Sequence, residues 1–399
     1  MRPDIERAVA LLRAGELVAF PTETVYGLGA DAANPAAVAK IFAAKGRPAE
    51  HPLIVHLPGA SHLARWAREV PPEAERLAAA FWPGPLTLIL KRRPEVPDAV
   101  TGGQDTVGLR VPNHPLALEL LEAFGGANGG GLAAPSANRF GRISPTTAAH
   151  VREELGERVP LVLDGGACPV GIESTILDLS RGAPVLLRPG SISAADLARV
   201  LGRAPETDAA EAEAPRVSGS LDAHYAPRTP LQLVSSDGLL FALRNALVAG
   251  EKVAVLAPTA QAISHDLVTW KQSPAAPAGF AHDLYASLRE LDALGCVRIL
   301  VQQPPAGEAW LAVNDRLRRS AASRLARRAK SAARAALRTL RSAGPNPGRC
   351  AQSSPWADGT ARRFCKNVRP AASLSCSIAP TSRRSTHDPS RPGVGGTYR

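Results

Sequence analysis

Two basic residues, Lys45 and Arg47, stand together at the end of one helical segment. An ammonium group supplies a point charge, and a guanidinium group supplies a planar fork that matches phosphate oxygens. Their types and spacing predict a site for an anion beside a small polar molecule. A second interpretation stays open, in which the two cations only balance the negative end of the helix dipole.

The helix that carries these cations has clear ends in the sequence. Asn34 is a favourable N-cap, Pro35 suits the first helical position, and Gly46 suits the position past the end. Short apolar runs on either side, Leu17–Phe20 and Leu53–Val55, predict buried strands. The loop PTETVYGLG after the first run combines hydroxyl residues with glycines, so a ligand could lie close to its backbone.

A later strand offers a polar face. The run TVGLRV alternates, so that Thr106, Gly108 and Arg110 share one side. That side has room for a ligand, although it could instead be the solvent face of an edge strand. His51 and His56 lie on either side of the second apolar run and are further candidates for ligand binding.

The segment PSAN follows another apolar run. We expect Ser136 and Asn138 to share a face at the end of this strand and to offer a hydroxyl and an amide to a phosphate or carboxylate. Ser144 is predicted to be the N-cap of the next helix, with Pro145 at its first position, and the exposed amides there would form an anion site. Capping alone would also explain Ser144.

The basic character of the chain lies in its tail. The 399 residues carry a formal charge of +11. Residues 321–399 hold 16 of the 47 basic and 2 of the 36 acidic residues, which leaves 31 basic and 34 acidic residues in 1–320. The high isoelectric point is therefore no argument that the folded part binds RNA.

Composition also bears on location and redox state. The first residues form an amphipathic pattern and no run of 18 apolar residues occurs, so we expect neither a secretory signal nor a membrane span. The five cysteines are odd in number and include no CxxC pair, which predicts neither a disulfide framework nor a zinc site. We expect a cytoplasmic protein with no metal cluster.

Composition divides the chain into four parts. Residues 1–202 hold the motifs above, and residues 203–230 form a linker rich in Ala, Glu and Pro that ends in the segment HYAP. Residues 231–322 predict a small Rossmann-like α/β unit without a glycine fingerprint and without a catalytic cluster. Residues 323–399 have few apolar residues, which predicts a disordered basic tail.

The ordered series PTETVYGLG, KGRP, HPLIVH, PSAN and GIESTILD resembles the YrdC-type threonylcarbamoyl-AMP synthases in their two-domain Sua form. The resemblance covers roughly Pro3 to Ala322. It implies an α/β fold in which a twisted mixed sheet and flanking helices surround a concave site, with the small second domain attached. It also implies a nucleotidyltransferase that converts L-threonine, bicarbonate and ATP into L-threonylcarbamoyl-AMP and pyrophosphate, for threonylcarbamoyladenosine at position 37 of tRNA.

The resemblance assigns roles to individual residues. Lys45 and Arg47 would be the catalytic cations at the triphosphate, although His51 stands where the family commonly has asparagine. Residues of several strand ends and of the HYAP lid would bind ATP: Arg47, His51, Thr106, Ser136, Asn138, Ser144, Arg188 and Tyr225. A second group would bind L-threonine, with Arg110 pairing with its carboxylate: Thr24, His56, Arg110, Ala134 and Ser174.

Cofactors and partners follow from the same resemblance. Mg²⁺ would accompany the triphosphate, although no acidic pair identifies its ligands. The product would pass to the tRNA threonylcarbamoyl-transferase complex, and direct contact with tRNA is also implied. Two alternatives remain: a non-catalytic module that binds double-stranded RNA, such as tRNA or rRNA, and a carbamoyl-phosphate-using relative, whose zinc-finger and acylphosphatase segments this sequence lacks.

Overall fold

The structure is a computed structural model that describes residues 2–207, 215–219, 223–259 and 263–322. The predicted basic tail, residues 323–399, lies outside the described residues, and so does part of the predicted linker. Each helix in the described ranges is too short or too polar to span a lipid bilayer.

The first domain contains a mixed sheet. Its described strands are β1 (Val18–Phe20), β2 (Gly27–Asp31), β3 (Ile54–His56), β4 (Leu86–Lys91), β5 (Thr106–Arg110), β6 (Leu132–Ala133), β7 (Leu161–Val162), β8 (Thr175–Asp178) and β9 (Val185–Arg188). They lie in the order β7-β1-β2-β6-β3-β5-β4-β8-β9. Strand β5 pairs in parallel with β3 and antiparallel with β4, so it lies inside the sheet. The interpretation of its polar face as the solvent side of an edge strand is therefore wrong.

Helices cover this sheet on both faces. They are α1 (Pro3–Arg13), α2 (Pro35–Lys45), α3 (Leu63–Trp66), α4 (Pro72–Phe81), α5 (Asp98–Thr101), α6 (Pro115–Gly125), α7 (Ala148–Leu155) and α8 (Ala194–Leu201). Strand β1 illustrates the two layers, because Val18 and Phe20 join the apolar cluster of α1 and α6, while Ala19 joins that of α2, α4 and α8. Alternate side chains of one buried strand thus serve two cores.

Helix α2 has the ends that its sequence predicts. The Asn34 side chain accepts hydrogen bonds from the backbone N–H groups of Ala36 and Ala37, and Gly46 ends the helix with φ 61°. A left-handed residue at this position suits glycine, which has no Cβ to clash. The prediction for this helix is confirmed, and its last turn fixes Lys45.

The prediction that Ser144 caps the next helix is wrong. Helix α7 begins at Ala148, and its N-cap is Thr147, whose hydroxyl oxygen accepts a hydrogen bond from the His150 N–H group. The Ser144 hydroxyl instead donates to a Glu173 carboxylate oxygen at 2.6 Å. A charged acceptor distant in sequence therefore takes the side chain that local spacing assigned to the helix.

The second domain is a smaller α/β unit. It contains β10 (Leu231–Val234), α9 (Ser236–Val248), β11 (Val253–Ala257), β12 (Val268–Gln272), α10 (Pro277–Asp292) and β13 (Arg298–Gln302), followed by helical residues 311–322. The described strands form a parallel sheet in the order β10-β13-β11-β12. The predicted α/β fold class, with its twisted mixed sheet, flanking helices and second domain, is confirmed.

The two domains share one apolar cluster. Val25, Ile143 and Ile172 of the first domain lie in the same buried cluster as Leu284 and Leu317 of the second. Such a continuous buried contact holds the second domain against the loops that follow the strands of the first. The second domain therefore adjoins the region where the sequence-predicted site residues gather.

Candidate active site

A polar pocket lies where several strand ends of the first domain meet. Strands β3 and β5 run in parallel, and their last residues, His56 and Arg110, are register partners. Eight of the residues that the sequence analysis selected line this pocket: Thr24, His56, Arg110, Ala134, Ser136, Ser174, Arg188 and Tyr225. The structure thus brings together the predicted threonine group and three residues of the predicted ATP group.

The Arg110 side chain is held in place by hydrogen bonds to the protein. Its Nη2 donates to Glu23 Oε1 at 2.6 Å and its Nε donates to the Gly84 carbonyl at 3.3 Å, while Glu23 Oε2 accepts from the Asn113 N–H group at 2.9 Å. Both side chains of the ion pair are only 5% exposed. Within the described part of the chain Nη1 makes no hydrogen bond, so a fixed cation presents a spare donor at the pocket.

His56 lies beside Arg110 as a neutral imidazole. Burial, and then the charge of Arg110, lowers the pKa of His56 to about 3. Its Nδ1 atom is buried and has no hydrogen-bond partner in the described chain. A buried polar atom without a partner carries a free-energy cost that a ligand could remove. The neutral ring can therefore accept or donate one hydrogen bond to a polar ligand in the pocket.

Ser174 and Arg188 form a second polar corner. The Ser174 hydroxyl hydrogen-bonds to the Thr87 hydroxyl at 2.8 Å and accepts from Arg188 Nη2 at 3.1 Å. Arg188 also donates from Nε to the Ser174 carbonyl at 3.0 Å and from Nη1 to the Ser218 carbonyl at 2.8 Å. Burial lowers the pKa of Arg188 from its ordinary value. The linker residue Ser218 thus closes this corner against the first domain.

Lys45 and Arg47 lie beside the pocket but do not line it. Lys45 Nζ donates to the carbonyl oxygens of Ser136 and Asn138 at 2.5 Å each, and burial, then the charge of Arg47, lowers the pKa of Lys45 well below its ordinary value. Arg47 Nη2 donates to the Pro52 carbonyl at 3.0 Å, and burial lowers the pKa of Arg47 to about 10. Since both are buried and bonded to carbonyl groups, they do more than balance a helix dipole on the surface.

Two other predicted ATP residues, His51 and Thr106, lie away from the pocket wall. His51 is half-buried with its ring 5.3 Å from that of Phe140, and the Arg47 guanidinium lies 5.7 Å from the same ring. Continuing the β3–β5 register by two residues puts Thr106 opposite Pro52, about 13 Å along the strand from Arg110. The structure does not bring Thr106 or His51 to the pocket wall.

Asn138 does not share a face with Ser136, contrary to the prediction. Strand β6 ends at Ala133, so the alternation of a strand does not extend to residues 136–138. The Asn138 side-chain amide donates to the carbonyl oxygens of Arg139 and Arg142 at 2.7 and 2.9 Å, which leaves Ser136 alone at the wall.

Tyr225 of the HYAP segment closes part of the pocket. It adopts a left-handed conformation with φ 59°, and its ring stacks on His224 at 4.2 Å. A positive φ is unfavourable for a residue with a side chain, so surrounding contacts must hold it. The Tyr225 hydroxyl is buried without a hydrogen-bond partner in the described residues. This position agrees with the lid role that the family resemblance implies, which stays a prediction.

Sequence reasoning missed two buried carboxylates, Glu23 and Glu173. Burial alone would raise the pKa of Glu173, but the charges of Arg316 and Arg188 and the hydrogen bond from Ser144 lower it to about 2. Both residues lie within quoted motifs, and an acidic residue among apolar and hydroxyl neighbours was the available signal. In the described ranges no group of three or more His, Cys, Asp or Glu residues could hold a metal ion.

Comparison with known proteins identifies the family of the chain. Residues 10–190 match the Sua5_yciO_yrdC family model, described as telomere recombination, and residues 192–322 match the model of the threonylcarbamoyl-AMP synthase C-terminal domain. Threonylcarbamoyl-AMP synthases of Pyrococcus abyssi and Bacillus subtilis are 38% and 40% identical to this chain, covering 80% and 82% of it and 95% of each relative.

A solved structure is similar over the same range. The crystal structure of P. abyssi Sua5 complexed with L-threonine matches with a TM-score of 0.72 and 38% identity, covering 79% of this chain and 94% of that one. Two family models and long, well-covered relatives point to the same conclusion as the motifs. The chain belongs to the two-domain threonylcarbamoyl-AMP synthase family.

Proposed function

We propose that this protein is an L-threonylcarbamoyladenylate synthase, which converts L-threonine, bicarbonate and ATP into L-threonylcarbamoyl-AMP and pyrophosphate. The product serves the threonylcarbamoyladenosine modification at position 37 of tRNA. The observation that supports this proposal most directly is Arg110, a buried guanidinium fixed by Glu23 with a spare donor at a pocket lined by hydroxyl groups.

L-threonine occupies the deep end of the pocket in this proposal. Its carboxylate pairs with Arg110, whose planar fork and low-dielectric surroundings favour a charge-assisted hydrogen bond. Neutral His56 and the hydroxyl of Ser174 then lie within the same wall and can bind the polar groups of the amino acid. Thr24 and Ala134 complete the wall, so that the threonine-binding set predicted from the sequence acts as one group.

The reaction needs no nucleophile from the protein. The threonine amine attacks bicarbonate to give a carbamate and water; a carbamate oxygen then attacks the α-phosphorus of ATP, and pyrophosphate leaves. The protein's task is to align these groups and to stabilise charge on the phosphate oxygens. Lys45 and Arg47 are the cations proposed for the triphosphate, which enters with Mg²⁺ as part of the substrate.

The ATP site continues from the pocket toward Arg47 in this proposal. His51, Thr106, Asn138 and Ser144 lie outside the pocket wall, so their contacts with the nucleotide stay predictions. Ser136 supports this continuation of the ATP site, because it lines the pocket while its carbonyl oxygen accepts a hydrogen bond from Lys45. The adenylate then passes to the tRNA threonylcarbamoyl-transferase complex, because a mixed anhydride with AMP is an activated acyl donor.

Pyrophosphate release distinguishes this function from RNA binding alone. Purified protein is mixed with ATP, L-threonine and bicarbonate, and each component is omitted in turn, without RNA. The proposal expects release only when all three are present. Release that is independent of threonine, or that requires RNA, would contradict it and favour the RNA-binding alternative.

A further inference from the structure

A buried arginine of the second domain reaches the pocket wall. Arg316 is fully buried, and its Nε donates to Glu173 Oε2 at 2.8 Å while its Nη2 donates to the Glu173 carbonyl at 3.3 Å. Its Nη1 donates to Asp315 Oδ2 at 2.8 Å. All three guanidinium nitrogens are therefore engaged by the protein, and Arg316 does not line the pocket, so we expect it to act through its neighbours.

The carboxylate that Arg316 holds lines the pocket. Glu173 also accepts from the Ser144 hydroxyl at 2.6 Å and from the Tyr285 hydroxyl at 2.9 Å. Arg316 and Tyr285 belong to the second domain, and Ser144 belongs to the first. One carboxylate thus receives donors from both domains, which fixes its orientation more tightly than one bond would.

The same helical segment holds the lid. The Arg316 guanidinium lies 5.5 Å from the centre of the Tyr225 ring, and the Ser320 hydroxyl donates to the Tyr225 carbonyl at 2.9 Å. The His224 N–H group donates to the Arg319 carbonyl at 3.3 Å. A cation beside an aromatic face stabilises the ring, and the two hydrogen bonds hold the backbone of His224 and Tyr225. These contacts act at the residue that adopts the left-handed conformation, Tyr225, and at its neighbour.

We propose that Arg316 is a positioning residue for the synthase reaction, through which the second domain sets the wall of the pocket by holding Glu173 and Tyr225. This inference rests on the function proposed above. A simpler role would be to join the two domains. Arg289 provides a matched control for that role, because it also crosses between domains, donating to Glu154 Oε2 at 3.4 Å and to the Ile143 carbonyl, but in the described residues it forms no hydrogen bond with Glu173 or Tyr225.

The test measures pyrophosphate release with L-threonine as the varied substrate. It compares kcat/KM for threonine in Arg316→Met, Arg316→Lys and Arg289→Gln. A displaced wall misaligns the reacting groups, so we expect Arg316→Met to lose about 100-fold in kcat/KM. Arg316→Lys keeps the charge but loses the planar fork, and its loss should be intermediate. Arg289→Gln should stay within about threefold, as expected for a residue that does not contact the site.

A pH profile separates positioning from domain joining. Without the Arg316 charge, the pKa of Glu173 should rise from about 2, so the Arg316→Met enzyme should lose activity on the acid side where the wild type does not. The Arg289→Gln enzyme should keep the wild-type profile.

The outcomes are distinct. A loss in Arg316→Met no larger than that in Arg289→Gln would contradict the inference, and if Arg316→Met does not fold, the same comparison is made with Arg316→Lys. A wild-type protein that releases no pyrophosphate with threonine and bicarbonate would instead contradict the proposed function itself.

Discussion

Two buried arginine–glutamate pairs flank the pocket, and they differ in origin. Arg110 and Glu23 both come from the first domain and meet at 2.6 Å, whereas Arg316 of the second domain meets Glu173 of the first at 2.8 Å. Arg110 keeps one guanidinium nitrogen unbonded in the described chain, while every nitrogen of Arg316 is bonded. We propose that the first pair binds a ligand and that the second holds the pocket wall.

The difference shows why the same two side chains serve two purposes. Removing one partner of a buried ion pair leaves an uncompensated charge, so loss of either arginine should destabilise the folded state. Only a cation with a spare donor can also pair with the carboxylate of a ligand. A spare donor together with a position at the pocket wall therefore distinguishes Arg110 from Arg316, which does not line the pocket.

The largest expected effect comes from the binding pair. Arg110→Met removes the proposed partner of the threonine carboxylate, and we expect kcat/KM for threonine to fall by about 1,000-fold. The KM for ATP should change little. Steady-state pyrophosphate release with each substrate varied checks this, with the exposed Arg199→Gln as the control for a lost arginine. Equal losses for threonine and ATP would contradict the assignment of Arg110 to threonine.

Lys45 extends the comparison to a buried cation that forms no ion pair in the described ranges. Lys45→Met keeps much of the side-chain volume but removes the charge proposed for the triphosphate, and we expect kcat to fall by about 100-fold. Lys40→Met on the same helix removes an exposed lysine paired with Glu16 and should have wild-type kcat. Wild-type kcat in both variants would remove Lys45 from the catalytic pair.

A milder substitution distinguishes the role of Glu23 from that of Arg110. Glu23→Gln keeps the shape of the side chain but weakens its hold on the guanidinium, so we expect KM for threonine to rise about 10-fold with kcat nearly unchanged. The control is Glu119→Gln, in which a half-buried carboxylate loses its pair with Arg2. A loss as large as that of Arg110→Met would mean that Glu23 does more than orient its partner.

Acid should lower the free energy of unfolding in two different pH windows, one set by His56 and one set by Glu173. The pKa of His56 is lowered from 6.5 to about 3 and that of Glu173 from 4.5 to about 2, so the unfolded state binds more protons than the folded state below each unfolded value. His56 should therefore reduce the free energy of unfolding by about 1 kcal/mol between pH 6.5 and 5.5, and Glu173 should begin to do so below about pH 4.5.

Urea unfolding at several pH values measures both windows. His56→Asn should reduce the slope above about pH 4.5, where His224, whose pKa burial also lowers to about 3, contributes too, and Glu173→Gln should reduce the slope below about pH 4.5. Unchanged slopes in both variants would contradict the protonation states assigned here.

Local features were predictable from the sequence. The ends of helix α2 depend on Asn34, Pro35 and Gly46, which act on neighbouring backbone groups, and the capping box of α8 at Ser193 and Asp196 depends on residues three apart. The strand ends that deliver His56 and Arg110 also follow from short apolar runs. Such features need no information about distant parts of the chain.

Long-range pairing was not predictable from one sequence. Ser144 was assigned to a cap because its spacing fits one, but Glu173, 29 residues away, binds its hydroxyl. Arg316 stands 143 residues from Glu173, and no local pattern relates them. The interior position of β5 likewise depends on pairing with β3 and β4. Glu23, Glu173 and Arg316 were therefore missed, while eight of the predicted residues line the pocket.

Mass spectrometry of the reaction products tests the central claim most directly. Purified protein is incubated with ATP, L-threonine and either ordinary or ¹³C-labelled bicarbonate. The account predicts an adenylate that contains threonine and a single labelled carbon, formed by the wild type and reduced about 1,000-fold in Arg110→Met. An adenylate without the bicarbonate carbon, or equal product from both proteins, would contradict it.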